Sequence, residues 1–456
     1  MVIGSMVGSG IFLVSAQTAR LVQSPFLFLL IWFFAAVMTV LAATCTGELA
    51  CLFPKAGGQY VYLKEAYNKL IAFLYGWTLF AVIQSGTIAA VAVAFAKFLS
   101  IFLPIVSSGN IVFHFFFLQI STLQLVAVLL IALLTFNNCL GVNAAKFIQN
   151  IFTSLKLLAL ISIIILGGVS TGHFYGWQPN IKHFFDLTKP LQNTWIFGLT
   201  VITGIIGPLF SMDAWNNVTF TSEEVKSPES TLPKSLVLGT ITVCALYFLI
   251  NIVYLLILPL NGISNGGNIL QRGIAWASED RVATAVLEVI LGKSGVYLMA
   301  LAIMISTFGG LNGLILAAPR VYYAMAKDKL FFQFAANLNP KTKVPVKGLI
   351  FQGIWAAILT FSGSYSNLLE YVIFATLFFY ILTIASVIIF RFKFKDRERK
   401  FRAPLYPFLP LIYIFMAVLV MVSQLLISPN YCLAGILIVC SGLPAYFFWS
   451  KKLINY

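Results

Sequence analysis

Charge is what this sequence lacks most. Only 9% of its 456 residues are Asp, Glu, Lys or Arg, against about 25% in an ordinary soluble domain. No long polar block interrupts the chain, so an extramembrane domain of normal size, about 50 residues or more, is excluded. With it go a soluble enzyme on a single anchor and a receptor carrying its own signalling domain. Acidic residues are scarcer than basic ones, 14 against 29, for a net charge of +15. His114, His173 and His183 are the only histidines, and they fall in inter-helix stretches without metal-ligand spacing. Cys45, Cys51, Cys139, Cys244, Cys432 and Cys440 lie in or at the ends of apolar segments. They show no short paired spacing of the zinc or redox type and read as small buried hydrophobes. No metal and no cofactor is expected. Met1 to Phe12 has no basic region ahead of its apolar run, so the start does not read as a cleavable signal peptide.

What the sequence has is apolar surface. Sixty per cent of the residues are hydrophobic, and the mean hydropathy is +0.95. A bilayer-spanning helix needs about 20 predominantly apolar residues. The composition therefore supports an all-α integral membrane protein with about 12 transmembrane helices. Breaks at Pro, Gly and polar residues place them near 1–22, 25–53, 70–103, 120–140, 145–168, 193–222, 235–259, 294–326, 346–362, 367–391, 405–427 and 431–450. These are helices 1 to 12 below. A short amphipathic segment near 282–292 reads as an external loop helix.

An even number of spans puts both termini on one side. With the termini cytoplasmic, the inner loops and ends hold 21 Lys and Arg. The outer ones hold six: Arg20, Lys182, Lys189, Arg272, Arg281 and Lys293. Basic residues collect in cytoplasmic loops, so both termini are expected inside. The basic balance is then a matter of topology, not of nucleic acid binding. The densest run, Arg391 to Arg402, reads as a solvated inner loop that also meets anionic membrane lipid.

Helices 1 and 6, five apart, are the two spans interrupted at mid-depth. Corresponding broken helices in two five-helix halves point to a secondary transporter built on an inverted repeat. In helix 1 the break is Gly8-Ser9-Gly10. Unpaired backbone groups at membrane depth are tolerated only where they line a cavity or are buried in protein. The N–H groups opening the next half-helix suit a carboxylate, and the carbonyls ending the first half suit an ammonium. One break thus fits a zwitterion such as an amino acid, although small residues there also serve close packing. In helix 6 the break spans Gly207 to Asn217 and carries Asp213. An intramembrane carboxylate is a functional candidate by default; a structural partner for a neighbouring donor is the other reading. Phe210 and Trp215 are either packing or a closure over a bound substrate. Lys156 in helix 5 is too deep to snorkel easily. It must find carbonyls or a carboxylate, or lose its proton. It would serve as a fixed charge in place of a coupling sodium ion, or as a proton carrier. Lys97 is nearer the outer end of helix 3, and Glu48 in helix 2 reads as structural. Ser306 and Thr307 in helix 8 place two hydroxyls at a depth where they bind a cation or the preceding turn. Buried titratable groups spread over three helices form no catalytic motif, so an enzyme is not expected. A channel is the remaining rival.

Five ordered blocks carry a family resemblance: GSMVGSGIF (4–12), GELACLFPKAGGQYVYLKEAY (47–67), NCLGVNAAKFIQNIFTSLKLLAL (138–160), FSMDAWNNVTFTSEEVKSPESTLP (210–233) and STFGGLNGLILAAPRVYYAMAKDKLF (306–331). Together they resemble the amino acid–polyamine–organocation superfamily, within it the L-amino acid transporter group and its bacterial homologues. The resemblance implies a five-plus-five inverted repeat (LeuT-like) with two further helices. The repeats would span 1–168 and 193–391, and the added pair 405–450. It implies secondary transport of amino acids by alternating access, as sodium-independent exchange of neutral L-amino acids. A proton-coupled or cationic amino acid or polyamine carrier is the alternative. Gly8, Ser9 and Gly10 would hold the substrate carboxylate. Met6, Phe210, Ser211 and Asp213 would surround its amine. Phe210 would act as a gate, with Trp215 and Asn216 supporting the broken helix. Lys156 would link helix 1 to Ser306 and Thr307 of helix 8. Asp213 stands where several neutral carriers have Gly, and Leu377 where many relatives have Trp. Relatives carry a cytoplasmic segment ahead of the residue matching Gly4, so a truncated or misassigned start is expected. The outer loop between helices 3 and 4 has no Cys, so no disulfide-linked heavy chain is expected. A bacterial inner membrane is the expected location.

Overall fold

The computed structural model describes residues 1–22, 24–115, 118–187, 194–361 and 365–454. Lys189 lies outside them, and side chains at 142–149 and 451–454, which include Lys146, Lys451 and Lys452, are likewise not described. Among the described residues ten helices are long and apolar enough to cross a membrane. They include helix 2 (Pro25–Leu52), helix 4 (Thr122–Cys139), helix 5 (Val142–Val169), helix 7 (Pro228–Ile257), helix 10 (Tyr365–Lys393), helix 11 (Phe408–Ile427) and helix 12 (Pro429–Ile454). Two spans are shorter. Helix 1 is cut into Val2–Met6 and Gly10–Val22, and helix 9 is Val346–Thr360. The twelve-span, all-α architecture holds, with one addition. A small antiparallel hairpin, Ile111–Phe115 with Leu118–Ser121, joins helices 3 and 4.

Local signals explain where the spans begin. Pro25 and Pro228 sit at first-turn positions, where a missing N–H costs nothing. Asn68 caps helix 3, its side chain accepting from the Ile71 N–H at 3.0 Å. Ser121 and Gln124 form a reciprocal capping box at helix 4. Helix 3 runs through Lys69–Thr78, a π-helical turn at Leu79–Ile83 and Gln84–Leu99. The wider turn disturbs the carbonyl ladder, and side chains take up two of its carbonyls. Ser85 Oγ donates to Phe80 O at 2.7 Å, and Trp355 Nε1 to Ala81 O at 2.8 Å.

Equivalent helices of the two halves meet. Helix 1 packs on helix 6, helix 2 along helix 7, helix 3 on helix 8 (Lys293–Ala317), and helix 4 on helix 9. Each pair is five apart in order, the relation expected of a five-plus-five inverted repeat of the LeuT-like kind. Helix 8 also packs on helices 4 and 5 and on the first half of helix 1. The segment Val282–Leu291 is a helix, buried from Val282 to Leu287 and packed against helix 8.

Glu48, fully buried in helix 2, ties that helix to helix 10. Arg391 of helix 10 donates to both its oxygens, Nε at 3.0 Å and Nη2 at 2.7 Å. The Ala403 N–H donates at 2.8 Å, and Arg399 lies 3.4 Å away. A buried carboxylate is stable only when its lone pairs are met. Replacing Glu48 by Gln is expected to leave two arginines short of their counter-charge. Loss of a buried partner costs about 3 kcal/mol, read as a lower melting temperature in detergent; an unchanged temperature would refute the anchoring role.

Candidate functional site

Helix 1 stops at Met6 and resumes at Gly10. The gap exposes carbonyls that a continuous helix would have bonded internally. Three other helices answer them. Lys156 of helix 5, 1% exposed, donates from Nζ to Gly4 O and to Val7 O, each at 2.8 Å. Ser306 of helix 8 approaches the same Val7 carbonyl at 3.4 Å. Tyr247 of helix 7 donates to Met6 O at 3.2 Å. Thr307 turns back onto its own helix, donating to Ile303 O at 2.8 Å. Helix 8 makes room for the lysine with glycine: a Cβ on Gly310 would sit 3.1 Å from Lys156 Nζ.

Helix 6 runs Thr194–Thr203 and Ile206–Ser211, unwinds, and resumes at Asn217–Phe220. Ala214 in the unwound stretch has φ +65°, a left-handed conformation costly for a residue with a Cβ. Neutral polar groups brace it. Tyr380 of helix 10 donates to Asp213 Oδ1 at 2.7 Å, and its ring lies 5.3 Å from that of Trp215. Asn216 donates to Gln59 Oε1 at 3.2 Å, and Gln59 donates to Phe379 O at 3.2 Å. Gln59 opens a short helix, Gln59–Ala66, after Gly57-Gly58. Gly58 has φ +45°, and a Cβ there would lie 2.9 Å from the Thr219 backbone.

The two breaks touch at Gly10, where a Cβ would fall 2.6 Å from Ser211 Cα. Met6, Lys156 and Ser306 thus form one polar cluster, around helix 1. Asp213, Trp215 and Asn216 form a second, around helix 6. Phe210 is buried beside Ser211. Two cavities flank Asp213. One is lined by Tyr75, Gln84, Asn216, Thr376 and Tyr380; the other by Thr39, Trp215, Leu377 and Tyr413, and each has a volume of only about 20 Å³. The helix 1 glycines line neither. A larger cavity, of about 620 Å³, lies away from both breaks, beside the Arg320–Glu224 ion pair.

Sequence reasoning passed over Tyr247, Tyr380 and Gln59. The signal was available: a hydroxyl or amide on an apolar span must find a partner when buried.

An all-helical membrane protein whose first and sixth helices are broken and closed on each other belongs to the class of secondary transporters. The amino acid permease family profile matches residues 1–440, and the chain belongs to that family. It is a transporter rather than an enzyme. Among similar proteins is the b(0,+)-type amino acid transporter 1 of Rattus norvegicus, 28% identical over 99% of this chain and 88% of its own length. The large neutral amino acids transporter small subunit 2 of Homo sapiens is 28% identical over 99% and 79%. The serine/threonine exchanger SteT of Bacillus subtilis is 28% identical over 99% and 95%.

Replacing Lys156 by Ala leaves the Gly4 and Val7 carbonyls without their strongest donor. Transport is expected to fall at least ten-fold, since a hydrogen bond to a charged group is worth about 1.5–3 kcal/mol, while the protein still reaches the membrane. Wild-type rates in the variant would remove any functional part for this lysine.

Proposed function

We propose that this permease exchanges neutral L-amino acids without sodium, by alternating access around the breaks in helices 1 and 6. The observation that carries the reading is the Lys156 ammonium, 2.8 Å from both Gly4 O and Val7 O. In ion-coupled carriers, unwound carbonyls near a break coordinate the coupling ion. A fixed ammonium supplies positive charge at such carbonyls with no ion to load. Ser306, reaching Val7 O from helix 8, extends the same link, with Thr307 beside it. Exchange is supported further by the name of one relative, a serine/threonine exchanger. The name of another specifies large neutral amino acids.

In this reading the substrate carboxylate meets the backbone at Gly8, Ser9 and Gly10, where the second half of helix 1 begins. The amine meets carbonyls near Met6, Phe210 and Asp213, beside Ser211. Met6 O already accepts from Tyr247 and has a second lone pair to offer. Phe210 closes over the bound molecule, and Trp215 and Asn216 hold the unwound turn. The repeats run 1–168 and 193–391, with 405–450 added. The excess of inner-loop Lys and Arg favours cytoplasmic termini, and the bacterial relative favours a bacterial inner membrane. Without a cysteine between helices 3 and 4, no disulfide-linked heavy chain is needed.

A second reading has one specific observation behind it. Asp213 is a half-buried carboxylate bordering both cavities at the helix 6 break, and it would receive a cationic side chain.

Proteoliposomes of purified protein, given labelled alanine, leucine, arginine or glutamate in sodium-free buffer, test both readings. Uptake of alanine or leucine is expected only into vesicles preloaded with amino acid, and added sodium should not raise it. Clear sodium dependence would overturn the part given to Lys156. Arginine uptake that is lost in Asp213→Gly would favour the cationic reading; arginine uptake absent from the wild type would exclude it.

A further inference from the structure

The connection between helices 7 and 8 builds a pocket that the transport reading leaves unused. Helix 7 starts beside the basic run, where Glu229 bonds Lys400 at 2.7 Å. It then runs 30 residues, about 45 Å at 1.5 Å per residue. The connection after it therefore lies at the opposite, outer end of the molecule. There a pocket of about 110 Å³ is walled by Arg272, Ser278, Arg281, Thr284 and Glu288, with Ile101 just past the end of helix 3.

Its polar groups are only partly used. Arg281 Nη2 donates to Lys97 O at 2.6 Å and to Ser100 Oγ at 3.0 Å. Its Nε is buried and has no hydrogen-bond partner. The Thr284 hydroxyl, on a residue 6% exposed, is also buried without one. Asp280 next door does not neutralise Arg281, because it is bonded to Arg20 of helix 1 at 2.7 Å. Arg272 donates to Ser278 Oγ and to Gly266 O. Buried donors left unmet cost free energy comparable to a lost hydrogen bond. Burial also pulls the Arg281 guanidinium below its ordinary range, with Glu279 opposing.

We infer that this pocket is a second amino acid site, separate from the helix breaks, whose occupant is a zwitterion. Arg281 Nε and the Thr284 hydroxyl take the α-carboxylate, with Arg272 adding positive charge at the wall, and Glu288 takes the ammonium. Two guanidinium groups alone would suit any oxyanion. Glu288 in the same wall opposes a simple anion and favours a ligand carrying both charges. The inference rests on the amino acid reading above. An occupant would sit beside the Arg20–Asp280 pair, and so at the outer end of helix 1.

Equilibrium binding of labelled alanine to the purified full chain, in sodium-free buffer, tests it. Two molecules per chain are expected. Thr284→Val and Glu288→Gln should each weaken one event about ten-fold and leave the other unchanged. Thr284→Val removes no existing hydrogen bond, so its melting temperature without ligand should match the wild type. One molecule per chain, indifferent to both substitutions, would overturn this site and leave the transport reading standing. No binding at all would overturn both. Phosphate or chloride displacing the second molecule equally well in wild type and Glu288→Gln would make the pocket an anion site and refute the zwitterion.

Discussion

The break in helix 1 cannot exist without a donor for its carbonyls, and Lys156 is that donor. At membrane depth no water replaces a lost helical hydrogen bond. An isolated ammonium at the same depth is equally unfavourable. Each defect answers the other: Gly4 O and Val7 O hold Nζ at 2.8 Å, so an unstable backbone and an unstable charge become one stable contact. Glycines 309 and 310 of helix 8 complete the arrangement, because a side chain at 310 would press on the ammonium. Helices 1, 5, 7 and 8 are thereby fastened around one gap by Lys156, Tyr247 and Ser306.

Helix 6 solves the same backbone problem without a cation. Its unwound turn is braced by Tyr380 on Asp213 and by Asn216 through Gln59 to Phe379 O. These groups belong to helix 10 and to the segment after helix 2. The two breaks therefore face each other at Gly10 and Ser211 but hang from different sets of helices. A substrate seated between them would touch both sets at once, which is what alternating access around a broken pair requires.

Much of this was legible in the residues, and the limits were physical. Span positions follow from apolar runs. The helix 1 break follows from Gly8 and Gly10, and the need of Lys156 for a partner from its depth. Glu48 reads as structural because a carboxylate at that depth has to be paired, and Arg391 and the Ala403 N–H pair it. Sequence could not say which carbonyls Lys156 meets, because that depends on how helix 5 rotates against helix 1. Helix 7 begins at Pro228, seven residues before its apolar run at 235. Hydropathy hid that first stretch, yet Pro228 and Glu229 in the opening turn are ordinary helix-start signals. Tyr247 and Tyr380 were hidden among 18 tyrosines, and only the fold distinguishes those whose hydroxyls reach a break. The hairpin between helices 3 and 4 lies in a loop whose pairing no periodicity announces.

Two of the ion pairs among the described residues differ in how they meet solvent. Glu48 is 1% exposed and bonded by Arg391, with Arg399 beside it and the Ala403 N–H donating. Removing one partner from such a buried set costs several kcal/mol, so helices 2 and 10 resist separation there. The Arg320–Glu224 pair ties the residues after helix 6 to the end of helix 8 at 2.6 Å, but Glu224 is 37% exposed. Arg320 itself is 6% exposed, so parting the pair wets Glu224 but leaves a buried guanidinium without its counter-charge, which is costly. The same pair borders an open cavity. The two ties therefore differ in which partner is sealed from solvent: the carboxylate at Glu48, the guanidinium at Arg320.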